Sequence, residues 1–372
     1  MRAAVCYEFG EPLVLANVVL DAPHAGEVKV RLAATAICHS DVHLINGDWG
    51  GERPVVPGHE AAGVIEAVGE NVTGIKLGDR VVVSLLRSCG TCFQCAKGNA
   101  HMCEGAFALN KESRLRDERG HALQHGIRVG AFAEAVVVDQ SQVVAIPDRM
   151  PFDRAALLGC GVITGVGAVM NSARVAAGDS VVVIGTGGVG LNAIQAAALA
   201  GANPIIAVDR VEKKLEAARV FGATHTINAG AEELRPAVRK LTSKRGVDFA
   251  FVAVGSPDAV SQAFTLIRPA GTVVIVGMPE WEATVPLRIA DLVWNEQRII
   301  GSRMGATHLR TDVPKLVNLY LEGKLKLDEL ISRRYPLEQI NEAITAMETG
   351  EALGNVIVFG ERRADSQSAW TH

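Results

Sequence analysis

The sequence predicts an α/β protein in which a doubly wound parallel sheet is joined to a second, β-rich region. Short Val- and Gly-rich runs fill residues 1–150, and strands alternate with helices from about residue 160 to residue 303. A glycine-rich turn follows the first strand of that alternation. Apolar strands that alternate with helices are typical of a parallel sheet covered on both faces. The chain has 372 residues, which is enough for two domains.

The β-rich region comes first along the chain. Its runs, such as EVKVRLAA, AAGVIEAVG and FAEAVVVD, are separated by Gly, Pro, Asn and Asp residues that favour turns. Short strands of this kind indicate a partly open barrel or a sandwich. Residues 104–130 interrupt them with a polar, weakly periodic segment, for which we predict a long surface loop.

The alternating region begins with the strand SVVVIG and an Ala-rich helix that ends at Gly201. The series continues with PIIAVD, VEKKLEAARVFGA, HTIN, AEELRPAVRKLTS, VDFAFVAVG, PDAVSQAFTLIR and GTVVIVGM, and RIIGS is a last short strand. Beyond residue 304 the pattern predicts two helices, DVPKLVNLYLEGK and LEQINEAITAMETG, and a strand, NVIVFG.

Composition excludes several classes of function. Lys and Arg total 37 against 41 Asp and Glu, so the net charge of −4 provides no basic field for nucleic acid or an anionic membrane. The sequence contains no apolar run of membrane-spanning length and no apolar segment at its N-terminus that resembles a signal peptide. We therefore expect a cytoplasmic protein, in which clustered cysteines favour a metal over disulfides.

Four of the seven cysteines lie within CGTCFQCAKGNAHMC. Cys89, Cys92, Cys95 and Cys103 have the spacing C-x2-C-x2-C-x7-C, which suits the four tetrahedral thiolate ligands of zinc. A closed four-thiolate shell leaves no open position, so this zinc ion would be structural. An iron–sulfur cluster also takes four cysteines and stays an alternative, as do free thiols.

The turn GTGGVG is typical of a dinucleotide-binding site, because a strand precedes it and it opens a helix. Gly185 permits the tight turn, Gly187 lets the backbone approach the pyrophosphate, and Gly190 lets the helix pack closely on the strand. The pyrophosphate would meet the N-terminus of the helix.

Asp209 ends the following strand, nineteen residues after Gly190. Its carboxylate can bond both hydroxyls of a cofactor ribose and would repel a 2′-phosphate, which favours NAD over NADP. Arg210 and Lys214 lie close in sequence and could tolerate a phosphate, so NADP stays open.

Three further motifs, AICHSDVH, VPGHEAAG and LLGCGVITG, contain Cys38, His59 and Cys160. Taken singly, each residue is more readily a core residue than a ligand. Together they offer the two thiolates and one imidazole of a catalytic zinc site with an open position, provided that they converge in space.

Taken as a set, these motifs resemble those of the zinc-dependent alcohol dehydrogenases of the medium-chain dehydrogenase/reductase superfamily. The resemblance covers residues 1 to about 360, with CHSDVH, PGHEAAG, the four-cysteine lobe, GCGVITG and GTGGVG in the expected order. It implies a GroES-like catalytic domain, into which a Rossmann NAD-binding domain is inserted. The implied division is 1–160 for the catalytic domain with a zinc lobe at about 89–103, 161–303 for the Rossmann domain, 304–360 for the return to the catalytic domain, and 361–372 for a polar tail.

The resemblance assigns the catalytic zinc to three residues: Cys38, His59 and Cys160. Glu60 follows the histidine ligand and would approach the metal when water or product leaves. Asp41 would orient the His59 imidazole or cap the helix that follows Cys38, and both roles can hold. Ser40 would take the proton of the substrate hydroxyl and pass it towards His43.

The resemblance assigns the cofactor cleft to residues of the same motifs and to the ends of the later strands: His39, Thr164, Gly185, Gly187, Gly188, Val189, Gly190, Asp209, Lys214, Val254, Val276, Gly277 and Met278. The implied activity is the reversible oxidation of an alcohol to an aldehyde or ketone, in which zinc favours the alkoxide and a hydride passes to NAD. Two zinc ions per chain, NAD, a small alcohol or aldehyde substrate, and a homodimer or homotetramer are expected.

Two other functions stay open at the level of the sequence. The first is a formaldehyde dehydrogenase that acts on a glutathione or other thiol adduct, although that branch commonly has tyrosine where this chain has His43. The second is a zinc- and nucleotide-binding relative without turnover. Trp49 is a candidate for the wall of the substrate pocket, whereas His101, His121 and His125 are expected to be surface histidines.

Overall fold

The computed structural model describes residues 1–350 and 352–360, so the predicted polar tail at 361–372 lies outside the described residues. The strands are β1 (Arg2–Val5), β2 (Val14–Leu20), β3 (Glu27–Ala36), β4 (Val55–Val56), β5 (Glu60–Val68), β6 (Arg80–Val83), β7 (Leu115–Asp117), β8 (Ala122–His125), β9 (Ala135–Asp139), β10 (Val143–Ala145), β11 (Val181–Ile184), β12 (Ile205–Asp209), β13 (His225–Asn228), β14 (Val247–Val252), β15 (Ile267–Ile275), β16 (Arg298–Gly301), β17 (Arg333–Tyr335) and β18 (Asn355–Val358). The α-helices are α1 (His39–Asn46), α2 (Phe93–Ala96), α3 (Phe152–Leu157), α4 (Gly161–Gly167), α5 (Gly188–Leu199), α6 (Glu212–Val220), α7 (Leu234–Leu241), α8 (Pro257–Leu266), α9 (Ile289–Trp294), α10 (Leu309–Leu321) and α11 (Ile340–Glu348).

The β-rich region forms two sheets. One has the strand order β10-β6-β5-β3-β18-β17, with β9 also paired to β3, and the other has the order β1-β2-β7-β8-β4. Strand β18 pairs antiparallel with β3, which brings the end of the described chain back onto the first sheet. From Val28 to Ala34, buried residues of β3 alternate with half-buried or exposed ones, as expected for a strand with one face on the core.

The alternating region folds into one parallel sheet with the strand order β13-β12-β11-β14-β15-β16. Strands β12 and β13 are added on one side of β11, and strands β14 to β16 on its other side, so the strand order reverses at β11. Ligands of such sheets bind outside the carboxyl ends of the strands at this switch point. The predicted fold class, a Rossmann sheet together with a β-rich GroES-like region, is confirmed.

Strand β11 shows why this sheet is parallel and central. All four of its residues are buried, and Val181 and Val183 pack in one hydrophobic cluster while Val182 and Ile184 pack in another. A strand that is covered on both faces reads as a continuous apolar run, as VVVI does here. The Ala-rich α5 covers one face and packs closely on α4, where a Cβ at Gly165 would lie 2.3 Å from the carbonyl oxygen of Val189.

The prediction of a surface loop at residues 104–130 is wrong. Strands β7 and β8 form a hairpin whose outer partners are β2 and β4, and Leu115 and Leu123 are buried. Arg114 is 1% exposed, because it forms a bidentate ion pair with the buried Glu27. His101 and His125 are half-buried, where the sequence predicted surface histidines. The many charged residues of the segment led to the prediction that it is exposed to solvent. In the structure, Glu27, which is 87 residues away in sequence, neutralises the buried charge of Arg114.

Among the described residues, the longest helices are too short or too polar to cross a membrane.

Candidate functional site

The three scattered motifs meet in one cluster. Cys38 precedes α1, His59 precedes β5, and Cys160 precedes α4, so that each residue lies where one element ends and the next begins. One ligand atom from each of Cys38, His59, Glu60 and Cys160 lies within 4.8 Å of the others. The convergence that the sequence could not show is therefore present.

A buried carboxylate holds the histidine of this cluster. Asp41 is fully buried, and its Oδ1 lies 2.9 Å from Nδ1 of His59 and accepts the N–H of Gly58 at 3.0 Å. The other oxygen, Oδ2, accepts the N–H of Cys38 at 3.1 Å, as a helix-capping residue does. Asp41 therefore caps α1 and orients His59 at the same time.

The donor set fits a metal cation. Nε2 of His59 is buried and has no hydrogen-bond partner among the described residues, although a buried polar atom is costly to leave unpaired. It lies 4.0 Å from Oε1 of Glu60 and in the same cluster as the two thiols. Two thiolates, one imidazole and one carboxylate are ligands of zinc, and a bound ion would satisfy the unpaired nitrogen.

The electrostatics of the cluster point the same way. Burial alone would lower the pKa of His59, but the adjoining Asp41 carboxylate raises it well above its usual value. Burial raises the pKa of Glu60 well above the usual carboxyl value. Contact between the two thiols lowers the pKa of Cys38 and raises that of Cys160. These opposed shifts mean that the buried acids cannot all ionise in one another's presence. A bound cation would offset their negative charges and would favour thiolates and a neutral imidazole.

The four-cysteine lobe also converges. The Sγ atoms of Cys89, Cys92, Cys95 and Cys103 lie within 4.8 Å of one another, and all seven cysteines of the chain are free thiols. A Cβ at Gly105 would lie 2.7 Å from Cβ of Cys89, so only glycine allows this close approach. The lobe therefore has the donor set of a closed zinc site.

Backbone N–H groups favour thiolates in the lobe. The N–H of Cys92 donates to Sγ of Cys89 at 3.3 Å, and the N–H of Cys89 donates to Sγ of Cys103 at 3.2 Å. Hydrogen bonds from Thr91 and Cys92 lower the pKa of Cys89 to about 6. The thiolate of Cys89 is thus accessible near neutral pH, whereas burial raises the pKa of Cys95 to about 12, so that its thiolate would need the metal itself.

Helix α1 carries the predicted proton path next to Cys38. Ser40 and His43 are three residues apart on this helix and so share a face. Nδ1 of His43 lies 2.6 Å from Oδ2 of Asp48, and its ring stacks on Trp49 with 5.2 Å between the ring centroids. With Nδ1 as the donor to Asp48, Nε2 of His43 keeps its lone pair for a proton.

The glycine-rich turn adopts the geometry that its sequence predicts. Gly185 has a φ of 91°, and a Cβ there would lie 2.4 Å from Cγ1 of Val254. A Cβ at Gly190 would lie 1.8 Å from the carbonyl oxygen of Gly185, whereas one at Gly187 would meet no atom within 4 Å. A side chain at Gly185 or Gly190 would therefore clash with neighbouring atoms, whereas the space beside Gly187 is free. A pyrophosphate could approach the first N–H groups of α5 there.

Asp209 lies at the end of β12, beside this turn. Its Oδ2 accepts the backbone N–H and the hydroxyl of Thr186 at 2.8 and 2.9 Å, and its Oδ1 accepts the N–H groups of Arg210 and Val211 at 2.8 and 3.1 Å. Four donors occupy the carboxylate, so a ribose hydroxyl would replace one of them, most easily the hydroxyl of Thr186. The predicted ribose contact stays a prediction.

Some of the other predicted cofactor residues follow the carboxyl ends of β14 and β15, and the rest lie on helices. Val254 and Gly277 are in contact, since a Cβ at Gly277 would lie 2.4 Å from the backbone carbon of Val254. Thr164 is buried on α4, one helical turn after Cys160, and its Oγ1 lies 3.6 Å from Sδ of Met304. Further members of the predicted set lie after β15, in α1, at the start of α5 and in α6: Val276, Met278, His39, Gly188, Val189 and Lys214.

Comparison with known proteins identifies the family. The family model for the alcohol dehydrogenase GroES-like domain matches residues 24–148, and the model for zinc-binding dehydrogenases matches residues 188–322. The chain is 40% identical over 366 residues to an NDMA-dependent alcohol dehydrogenase of Amycolatopsis methanolica, with 96% of this chain and 98% of the relative covered. The chain belongs to the zinc-dependent alcohol dehydrogenases of the medium-chain dehydrogenase/reductase superfamily.

Solved structures agree with this assignment of the chain to the alcohol dehydrogenase family. Benzyl alcohol dehydrogenase from Acinetobacter calcoaceticus superimposes with a TM-score of 0.90 at 34% identity, covering 96% of this chain and 99% of that one. An alcohol dehydrogenase zinc-binding domain protein from Burkholderia ambifaria superimposes with a TM-score of 0.92 at 35% identity, covering 96% and 98%. The family predicted from the sequence motifs is confirmed.

Two residues in contact with the candidate site escaped the sequence analysis. Asp48 is an acid five residues after His43, a spacing that could have drawn attention to it at the end of α1. Met304 lies 144 residues after Cys160, yet its Sδ is 3.8 Å from Sγ of that cysteine. The sequence carries no local signal for such a contact.

Proposed function

We propose that the protein is an NAD-linked zinc alcohol dehydrogenase that reversibly oxidises alcohols to aldehydes or ketones. The observation that carries this proposal is the convergence of Cys38, His59, Glu60 and Cys160 around the unpaired Nε2 of His59. Cys38, His59 and Cys160, with Glu60 beside them, would hold the catalytic zinc, and the four-cysteine lobe would hold a second, structural zinc.

When bound, zinc acidifies the substrate hydroxyl or polarises a carbonyl, and NAD accepts or returns the hydride. The chain supplies the remaining functions. Asp41 fixes the ring of His59, and Ser40 receives the substrate proton on the face of α1 that it shares with His43. His43 passes that proton to water, steadied by Asp48 and by the ring of Trp49.

Several features support NAD as the cofactor. The glycine-rich turn is open at Gly187, and the carboxylate of Asp209 beside this turn would repel a 2′-phosphate. The proposed domain division is the one that the sequence suggested, 1–160 and 304–360 around 161–303. The free thiols of both clusters are consistent with a reducing, cytoplasmic environment.

Steady-state NADH formation with primary, secondary and aromatic alcohols tests the proposal. Each alcohol would be assayed alone, with glutathione, and with NDMA, on which the Amycolatopsis relative depends by name. We expect thiol-independent turnover of one alcohol class by protein that contains two zinc ions per chain. Turnover only with formaldehyde and thiol would instead support the thiol-adduct function, and turnover only with NDMA would mean that NADH is not released.

Asp48 is predicted to position His43. We expect Asp48→Asn to lower kcat by roughly tenfold, because an amide no longer stabilises the protonated imidazole. Stopped-flow measurement with a pH indicator should show slower proton release, and Asp48→Glu should restore part of the rate. Glu52→Gln is the matched control, since Glu52 contacts Gln124 and not His43. Unchanged proton release in Asp48→Asn would contradict this role.

The outer edge of the parallel sheet is the proposed subunit contact. Strand β16 pairs on one side with β15, and the described residues provide no partner on its other side. Apolar side chains next to this edge are exposed, with Ile289 and Val293 at 72% and Trp294 at 89%. Large exposed apolar side chains beside an unpaired strand favour pairing with a second copy.

We expect Trp294→Glu to weaken this association, so that light scattering after gel filtration reports a smaller species at low protein concentration. The control is Phe93→Glu, because Phe93 is 66% exposed and lies on α2 of the cysteine lobe, outside the parallel sheet. Equal effects of the two substitutions, or none from Trp294→Glu, would argue against this edge as the contact.

A further inference from the structure

Three consecutive residues near Cys160 have left-handed backbone conformations. The φ angles of Met304, Gly305 and Ala306 are 51°, 62° and 48°. We call this segment the 304–306 turn; it follows β16 and precedes α10. Glycine adopts such angles freely, but a side chain in this conformation lies too close to its own backbone, so Met304 and Ala306 are strained. Strained backbone persists only where the surrounding structure holds it, and it concentrates at functional sites.

Helix α4 packs directly against this turn. A Cβ at Gly305 would lie 2.3 Å from the carbonyl oxygen of Ile163, and one at Gly167 would lie 2.2 Å from the carbonyl oxygen of Gly305, so no side chain fits at either position. Thr307, just after the turn, donates its hydroxyl to the carbonyl oxygen of Ile163 at 3.2 Å. The 304–306 turn therefore lies on the helix that begins directly after Cys160.

A π-helix provides a polar contact that also holds the turn. It spans Ala168–Ala173 and continues directly from α4. Such helices are rare and occur frequently at functional sites. Nδ2 of Asn171 donates to the carbonyl oxygen of Gly305 at 3.1 Å and to Oδ2 of Asp312 at 3.3 Å. Asn171 therefore ties the middle residue of the turn to α10.

The side chain of Met304 extends from this turn to the metal-ligand cluster. The hydroxyl of Thr164 donates to Sδ of Met304 at 3.6 Å, and Sγ of Cys160 lies 3.8 Å from the same sulfur. Both Thr164 and Cys160 are buried. A thioether carries no charge and no proton to donate, so beside a thiolate it packs and excludes water without forming a hydrogen bond to it.

The surroundings of a metal-bound thiolate affect the metal. Water at the sulfur would draw charge away from the bond to the metal, whereas an apolar neighbour leaves that charge on the bond. A packed neighbour also fixes the direction from which the sulfur meets the ion. The contact of Met304 with Cys160 can therefore act on the metal without a bond to it.

We propose that Met304 is a positioning residue for Cys160, and that Asn171 keeps Met304 in place through the strained 304–306 turn. The thioether shields the sulfur of Cys160 from water and fixes its orientation towards the catalytic zinc. The proposal rests on the proposed dehydrogenase function, because it concerns how one ligand of that zinc is held. In this role both residues act through Cys160.

Cobalt(II) in place of zinc provides a readout without turnover. Each thiolate ligand of cobalt gives a charge-transfer absorption that depends on the surroundings of its sulfur. We expect Met304→Ala to change this absorption, because it opens the sulfur of Cys160 to water. Met304→Leu has a similar volume and should keep most of the wild-type spectrum. The four-cysteine lobe is the same in all variants, so its absorption cancels in difference spectra.

Turnover is expected to follow the spectrum. Met304→Ala and Asn171→Ala should each lower kcat by about 10–100-fold, the usual effect of changing a group that orients metal ligands. Adding Ala306→Gly to Asn171→Ala should restore part of the loss, because glycine adopts the left-handed conformation without being held there. ADP-ribose, which lacks the nicotinamide, should bind every variant with wild-type affinity if the glycine-rich turn is intact.

Lys315→Gln is the control for Asn171→Ala. Nζ of Lys315 lies 3.4 Å from Oδ1 of Asp312, whereas Asn171 bonds Oδ2 of the same carboxylate. This variant should keep the wild-type spectrum and kcat, because it leaves the carbonyl group of Gly305 bonded to Asn171.

Three results would decide against the proposal or for it. An unchanged cobalt spectrum in Met304→Ala, or equal changes in Met304→Ala and Met304→Leu, would overturn the role of Met304. A loss in Asn171→Ala that Ala306→Gly does not relieve would overturn the role of Asn171. Wild-type protein without turnover of any alcohol, whose cobalt spectrum changes in Met304→Ala and not in Met304→Leu, would reject the proposed function and support the positioning of Cys160.

Discussion

Replacing Cys38 with serine is expected to lower kcat/KM for alcohols by at least about 10³-fold, because the metal supplies several kcal/mol of charge stabilisation in the transition state. Cys38 shares its cluster with His59, Glu60 and Cys160, and the remaining groups cannot replace a thiolate. Zinc content should fall from two ions to one per chain, as measured by elemental analysis. His59→Ala should have the same effect, with an added loss of stability because it leaves the carboxylate of Asp41 buried without its imidazole partner.

The matched control is Cys6→Ser. Cys6 is a buried cysteine of the hydrophobic core, and it belongs to neither cluster of metal-ligand side chains. It should keep both zinc ions and its activity apart from a modest loss of stability. Retained activity in Cys38→Ser, in protein with a single zinc ion, would show that the cluster is not the catalytic centre. Loss of activity in both variants would point to a general effect of removing a thiol.

Replacing Arg114 with methionine is expected to lower the free energy of unfolding by about 3–5 kcal/mol, because it strands a buried carboxylate. Glu27 is 2% exposed and receives two hydrogen bonds from the guanidinium of Arg114, both at 2.9 Å. The pair ties the hairpin of β7 and β8 to the first residue of β3. Urea unfolding provides the measurement, and adding Glu27→Gln to Arg114→Met should recover part of the loss.

Arg116, two residues further along the chain, offers the control. Its ion pair with Asp21 has a similar length, 3.0 Å, but both side chains are about one-third exposed. Arg116→Met should therefore change the free energy of unfolding by no more than about 1 kcal/mol. Comparable losses from the two substitutions would mean that burial does not decide the strength of these pairs, and the explanation given for the 104–130 segment would fail.

Local sequence determined much of this protein. The run VVVI and the turn GTGGVG specify a buried parallel strand and a nucleotide-type turn, because steric demands on glycine and burial of apolar residues act over a few neighbouring positions. The spacing of Cys89, Cys92, Cys95 and Cys103 likewise indicates a common ligand centre, since short spacers can bring these thiols together. The order of the motifs was enough to predict the family.

Tertiary structure decided what depends on contacts between distant residues. The distance between Cys38 and Cys160, the contact of Met304 with Cys160, and the pairing of Arg114 with Glu27 all span 87 residues or more of chain. A charged segment such as 104–130 looks like a surface loop until the fold brings it an opposite charge. The sequence determines which ionisable and metal-binding side chains the protein has. Long-range packing determines which of these side chains lie close enough to change one another's charge, because Coulomb interactions and burial depend on distance in space.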